Sequence, residues 1–326
     1  MAILGAQDLS PNGKASGVTS PKPTHARARY GKDPAQFVDV YLAQSNKPTP
    51  VIIYIHGGGW NGGSAGGIMR TEVFGTSNKN GEGVRAVLDQ GISVVSAKYR
   101  FINAALKAGA KPPVEWPLRD AARAVQFVRS KAKEWNLDPQ RIGLTGSSAG
   151  GCSSLWLAMH PDMADPKSAD PVARESTRSA FVGILNAQSS LDPQQLTAWF
   201  KEARYGAHAF GFVKNGVYTA NPADSMACMA DCLDAREEIL PWISEYSPIA
   251  WASVDDPPVF LGYLKAPEPA GQPQLDSVHG AGHGVKLKAT LDGLGVECHL
   301  AYPGNSHPEY RDHLDFLVQK LKQRRD

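Results

Sequence analysis

Residues 138–151 read DPQRIGLTGSSAGG, and the fold turns on this stretch. Arg141 to Thr145 (RIGLT) has the short apolar pattern of a strand. Gly146-Ser147-Ser148-Ala149-Gly150 then matches G-x-S-x-G, and Leu155 to Met159 (LWLAM) looks like the buried part of a following helix. A serine between a strand and a helix needs a sharp turn with a strained backbone. Glycine on either side lets the two elements pass closely.

At this composition, chance supplies about 0.2 matches to G-x-S-x-G, so the pattern alone is weak. It gains weight from His56-Gly57-Gly58-Gly59-Trp60, which directly follows the apolar run VIIYI at 51–55. H-G-G-G arises by chance at only about 0.01. A second serine match, Gly62-Gly63-Ser64-Ala65-Gly66, lacks the strand before it and sits among further glycines. Ser148 is therefore preferred over Ser64.

Outward from these motifs, strands alternate with helices. Gln36 to Leu42, Val51 to Ile55, Ile92 to Ala97, Phe181 to Asn186, Val259 to Tyr263 and Val296 to Tyr302 read as extended. Several are apolar on both faces, as in a sheet covered on two sides. Leu118, Ala121, Val125, Val128, Ala132 and Trp135 share one helical face behind Pro117, which suits a first helical position. Val285 to Leu294 and Tyr310 to Leu321 also read as helical. The fold class is α/β: a mostly parallel central sheet with helices on both faces. Residues 189–247 break the rhythm with Trp199, Phe200, Tyr205, Phe210, Phe212, Tyr218 and Trp242, and read as an inserted, mainly helical cap. The expected division is a flexible arm at 1–34 and one domain at 35–326 carrying that cap.

Composition excludes several classes. In 326 residues, a net charge of +2 implies neither a nucleic-acid partner nor an anionic membrane. No apolar run approaches the roughly 18 residues of a membrane span. Met1 to Gly5 opens no signal-type apolar region, so the chain is expected to be cytoplasmic, or secreted and written in mature form. Four cysteines do not make a disulfide scaffold, and Cys228 and Cys232 read as plain thiols.

A serine hydroxyl needs a base, a group that orients the base, and donors for an oxyanion. His307 stands in a loop after the last expected strand and before the last helix, where α/β sites are built. It is the expected base, with His313 in reserve. His56 is expected to shape its own loop. His279 and His283 are four apart, but the intervening Gly280, Ala281 and Gly282 argue against a metal-binding helix. The acid should follow VFLGY and precede His307. A loop, a short helix and a strand need roughly 30 residues, which fits Asp276 better than Glu268.

At this point the sequence resembles the esterase/lipase group of the α/β-hydrolase superfamily with an HGGG oxyanion loop. That group includes hormone-sensitive-lipase-like enzymes and BD-FAE-type carbohydrate esterases. HGGGW at 56–60, PLRDAARAVQFVR at 117–129 and DPQRIGLTGSSAGG at 138–151 carry the likeness. The chain order Ser148, Asp276, His307 is also that of the superfamily. Ser147 stands where hormone-sensitive-lipase-like enzymes usually have Asp, which favours the BD-FAE side. The usual H-G-x-x-D-x-x-V-P segment around the acid is replaced by KAPEPAGQPQLDSVHG at 265–280.

The resemblance implies a serine carboxylesterase acting on small or short-chain acyl esters through an acyl-enzyme. Ser148, Asp276 and His307 would form the triad, and Gly58, Gly59 and Ala149 would supply the oxyanion donors. Trp60 and the aromatic residues of the cap are expected to wall the substrate pocket. No metal or organic cofactor is implied. An acetyl or feruloyl carbohydrate esterase and an arylformamidase-like amidase are alternatives on the same site. A silent, ligand-binding hydrolase fold is the remote alternative.

Overall fold

The computed structural model describes residues 20–75, 78–219 and 221–323. Its centre is strand β3 (Thr49–Ile55), in which all seven residues are buried. Val51, Ile53 and Ile55 enter one apolar cluster, and Ile52 and Tyr54 enter the other. That two-sided burial is why the strand reads as a continuous apolar run.

Around it lie β1 (His25–Arg29), β2 (Phe37–Tyr41), β4 (Ser93–Lys98), β5 (Leu137–Ser147), β6 (Phe181–Leu185), β7 (Val259–Gly262) and β8 (Cys298–Ala301). The eight-stranded sheet runs β1-β2-β4-β3-β5-β6-β7-β8. β1–β2 and β2–β4 pair antiparallel, and every later pair is parallel.

Helices α2 (Ile102–Lys107), α3 (Glu115–Ser130), α4 (Ala149–Met159) and α8 (Gly282–Gly293) contribute to the first cluster. Helices α1 (Glu82–Leu88) and α9 (His313–Lys322) contribute to the second. Pro117 falls on the third residue of α3, still within the first turn, whose N–H groups lack intrahelical partners. Among the described residues no helix is long and apolar enough to cross a membrane. All four cysteines are buried and free.

Two expectations about organisation meet the structure here. The arm expected over 1–34 is too long, because His25–Arg29 forms edge strand β1 against β2. Its first 19 residues lie outside the described residues. The segment expected as a cap, between β6 and β7, holds α5 (Pro193–Trp199), α6 (Pro222–Asp234) and α7 (Leu240–Tyr246). It also holds the 3-10 turn Ala207–Phe210. Its buried side chains, including Leu196, Phe200, Tyr205 and Ile243, join the cluster beside α4.

Candidate active site

Ser148 sits between β5 and α4 with φ 54° and ψ −128°. A non-glycine residue there carries strain of about 1–3 kcal/mol, which the surrounding structure must hold. The neighbours hold it tightly. A Cβ on Gly150 would lie 2.0 Å from the Ile55 carbonyl oxygen, and one on Gly146 would lie 2.5 Å from the Gly150 carbonyl carbon. Ser148 N–H donates to Leu185 O at 3.2 Å, and Ser148 O accepts from Cys152 N–H at 2.8 Å. Ser64, by contrast, is exposed in extended backbone before a 3-10 turn.

The glycine loop after β3 lies against this turn. A Cβ on Gly57 would meet Ser147 O at 2.7 Å, so only glycine admits the approach. Gly58 and Gly59 take φ of 108° and 59°, and Gly58 O accepts from the N–H groups of Asn61 and Gly62. No described residue accepts from the N–H of Gly58, Gly59 or Ala149. Three free amide donors near one serine are the arrangement an oxyanion needs. His56 holds the loop from beneath: its Nδ1 is 2.8 Å from Gly57 O and its ring stacks on Tyr99 at 4.2 Å.

The histidine beside Ser148 is His279. Its Nε2 lies 2.9 Å from Ser148 Oγ. His307, the expected base, is elsewhere. Its Nδ1 accepts from the N–H groups of Glu309 and Tyr310, and its ring stacks on Tyr310 at 5.0 Å and meets His299 at 4.3 Å. The loop after β8 thus turns His307 into an aromatic cluster with Phe260 and Phe316. His313, the reserve, is buried with Nε2 at 3.1 Å from Val73 O.

His279 is set by the loop between β7 and α8, which is tied from several sides. Gln188 Nε2 donates to Val278 O. Ser277 Oγ donates to Glu202 O at 2.7 Å. His283 Nδ1 accepts from Ser189 N–H, so its Nε2 carries the proton and donates to Ser277 O at 3.1 Å. Burial pushes His283 down to about 4, which fits this neutral bracing role.

Asp276 stands three residues before His279, yet it does not grip the ring. Its Oδ1 accepts the backbone N–H groups of Val278 and His279, both at 3.0 Å, and its Oδ2 accepts from Lys265 Nζ at 2.7 Å. Burial works to raise its pKa, but Lys265 and the two amides outweigh it and hold the carboxyl at about 2. Asp276 is therefore a fixed negative charge beside the imidazole. Burial lowers the pKa of His279, Asp276 raises it, and Lys265 lowers it, with a net downward shift. Glu268, the other acid considered, lines a groove with Trp199 and Tyr302 instead.

A cleft of about 440 Å³ opens over Ser148, bordered by Gly57 to Gly59, His279, Val278, Tyr205 and Tyr218. Trp60, expected in its wall, is fully buried and donates from Nε1 to Ser153 Oγ at 3.0 Å. It lies behind the wall, packed on Tyr205 and His208. Tyr205 and Tyr218 are among the cap aromatics expected at the pocket, whereas His279 was not expected beside Ser148. The signal for His279 was its place three residues after Asp276, in the loop already singled out for the acid. Among the described residues no group of three or more His, Cys, Asp or Glu side chains could hold a metal ion.

Known proteins share this chain's family and fold. The BD-FAE family profile matches residues 38–263. Gut esterase 1 of Caenorhabditis elegans is 28% identical over 156 residues, covering 47% of this chain and 25% of that protein. Esterase LipC of Mycobacterium tuberculosis is 27% identical over 164 residues, covering 48% of this chain and 35% of LipC. The chain thus spans between a quarter and about a third of the length of these curated relatives. A solved structure described as a truncated carbohydrate esterase from gut microbiota superposes with a TM-score of 0.62 at 20% identity. The match covers 91% of this chain and 95% of that one, and the fold is the α/β-hydrolase fold.

Proposed function

The chain belongs to the BD-FAE family, and on that premise we propose that it is a serine carboxylesterase with Ser148 as nucleophile and His279 as base. The observation that carries this reading is the 2.9 Å contact between Ser148 Oγ and His279 Nε2. His279 takes the Oγ proton as Ser148 attacks the ester carbonyl. The oxyanion settles against the N–H groups of Gly58, Gly59 and Ala149, each such donor typically contributing about 2.7–4 kcal/mol. His279 then gives its proton to the departing alkoxide, and water, activated by the same imidazole, cleaves the acyl-enzyme. Asp276 stabilises the transient imidazolium through its charge. Small or short-chain acyl esters suit the cleft, whose volume of about 440 Å³ is at the lower end for ligand sites. The likeness to a carbohydrate esterase supports a carbohydrate ester within that class, with acetylated and feruloylated carbohydrate as the candidates to test.

The test is hydrolysis of p-nitrophenyl acetate, with acetyl-xylan and methyl ferulate beside it. Ser148→Ala is expected to abolish turnover and labelling by a fluorophosphonate. His279→Gln should lose about 10³–10⁴-fold or more in kcat, while His307→Ala keeps wild-type rates. An inactive His307→Ala with an active His279→Gln would reverse the assignment of the base.

A further inference from the structure

Tyr205 is 4% exposed, and its hydroxyl has no hydrogen-bond partner among the described residues. A buried phenol usually finds a partner, because leaving the group unpaired is unfavourable. This one borders the cleft that contains Ser148, and the Ser148 hydroxyl lies close enough to interact with it.

Its neighbours fix its side of the serine. Tyr205 packs on Trp60, directly after the glycine loop, with ring centroids 6.2 Å apart. It also senses Cys152, in the first turn of α4. Gly58, Gly59 and Ala149 belong to those same two segments. His279 reaches Ser148 from the separate loop after β7. The ring is clamped edge-on by His208 at 4.8 Å, so the phenol is held in place before any ligand arrives. Burial raises the phenol well above its ordinary pKa, which keeps it a proton donor through neutral pH.

We propose that Tyr205, supplied by the cap, is a second kind of oxyanion donor: its O–H joins the backbone amides of Gly58, Gly59 and Ala149 on the developing negative charge. This rests on the Ser148–His279 reading above. It means the cap completes the catalytic centre as well as covering it.

The test is Tyr205→Phe, assayed with p-nitrophenyl acetate alongside Ser148→Ala, with thermal unfolding of each variant. The expected result is a fall in kcat on the order of 10²-fold with KM little changed. Tm should stay level or rise, since the variant removes an unpaired buried hydroxyl. Unchanged kcat overturns the proposal, as does a loss confined to KM. A fall in kcat with a lowered Tm also overturns it, because the hydroxyl is then structural. If Ser148→Ala retains turnover, the hydrolase reading fails and takes this proposal with it. If Ser148→Ala is dead while Tyr205→Phe is fully active, only the role of Tyr205 falls.

Discussion

A base must be neutral before it can accept a proton, so on the proposed reading the charges around His279 set the acid limb of activity. Burial and Lys265 lower its pKa, and Asp276 raises it. The limb in kcat/KM is therefore expected below the ordinary histidine value of about 6.5. Lys265→Met removes a cation that disfavours imidazolium, so the limb should move to higher pH. Asp276→Asn removes the opposing charge, so it should move to lower pH and also lose rate. Shifts in the reverse directions would exclude His279 as the titrating group. Ser148 was legible in the sequence because its backbone demands glycine on both sides at fixed positions. The base was not. His279 and His307 both follow strands at the same rim of the sheet, and which loop folds over Ser148 depends on remote ties such as Gln188 to Val278 and His283 to Ser189.

The strand–turn–helix unit around Ser148 depends on contacts that no side chain can enter. Gly150→Ala places a methyl group 2.0 Å from Ile55 O and 2.7 Å from His56 backbone atoms. Backbone cannot yield there, so a loss of about 1–3 kcal/mol or more is expected in urea unfolding. Gly293→Ala is the contrast, since nothing lies within 4 Å of its added methyl. It should leave stability within about 0.5 kcal/mol of wild type. The same distinction explains which elements could be read from sequence. β3 and β7 are buried on both faces and appear as apolar runs. β1 has only five residues, HARAR, on the sheet edge, with a register shift between His25 and Ala28. Its polar side chains carry no run to recognise, and its pairing with β2 is visible only in the folded chain.

On the scale of the whole molecule, the cap and the loop after β7 form one assembly over the sheet. Phe200 and Gln274 make a parallel bridge, with Lys201 N–H donating to Gln274 O and Gln274 N–H to Trp199 O. Together they present Tyr205, Tyr218 and His279 to the cleft. A cleft of about 440 Å³ bordered by these side chains should favour short acyl chains. Across p-nitrophenyl acetate, butyrate and palmitate, kcat/KM is expected to fall more than about 10-fold between butyrate and palmitate. A flat or rising series would contradict the short-chain reading. The existence of the insertion was legible from its aromatic, strandless composition. Which of the expected aromatics border the cleft was not: Trp60, beside the glycine motif, is buried behind it, while Tyr205 and Tyr218 of the insertion border the serine.

The placement of both Asp276 and His279 after β7 leaves the loop that follows β8 without chemical duty. Residues 303–306, between β8 and the His307 stack, are exposed. On the proposed reading that loop is a vacant port. A fused module or a relocated pair of chain ends could be grafted there, away from the ties that aim the imidazole, and turnover would survive the surgery.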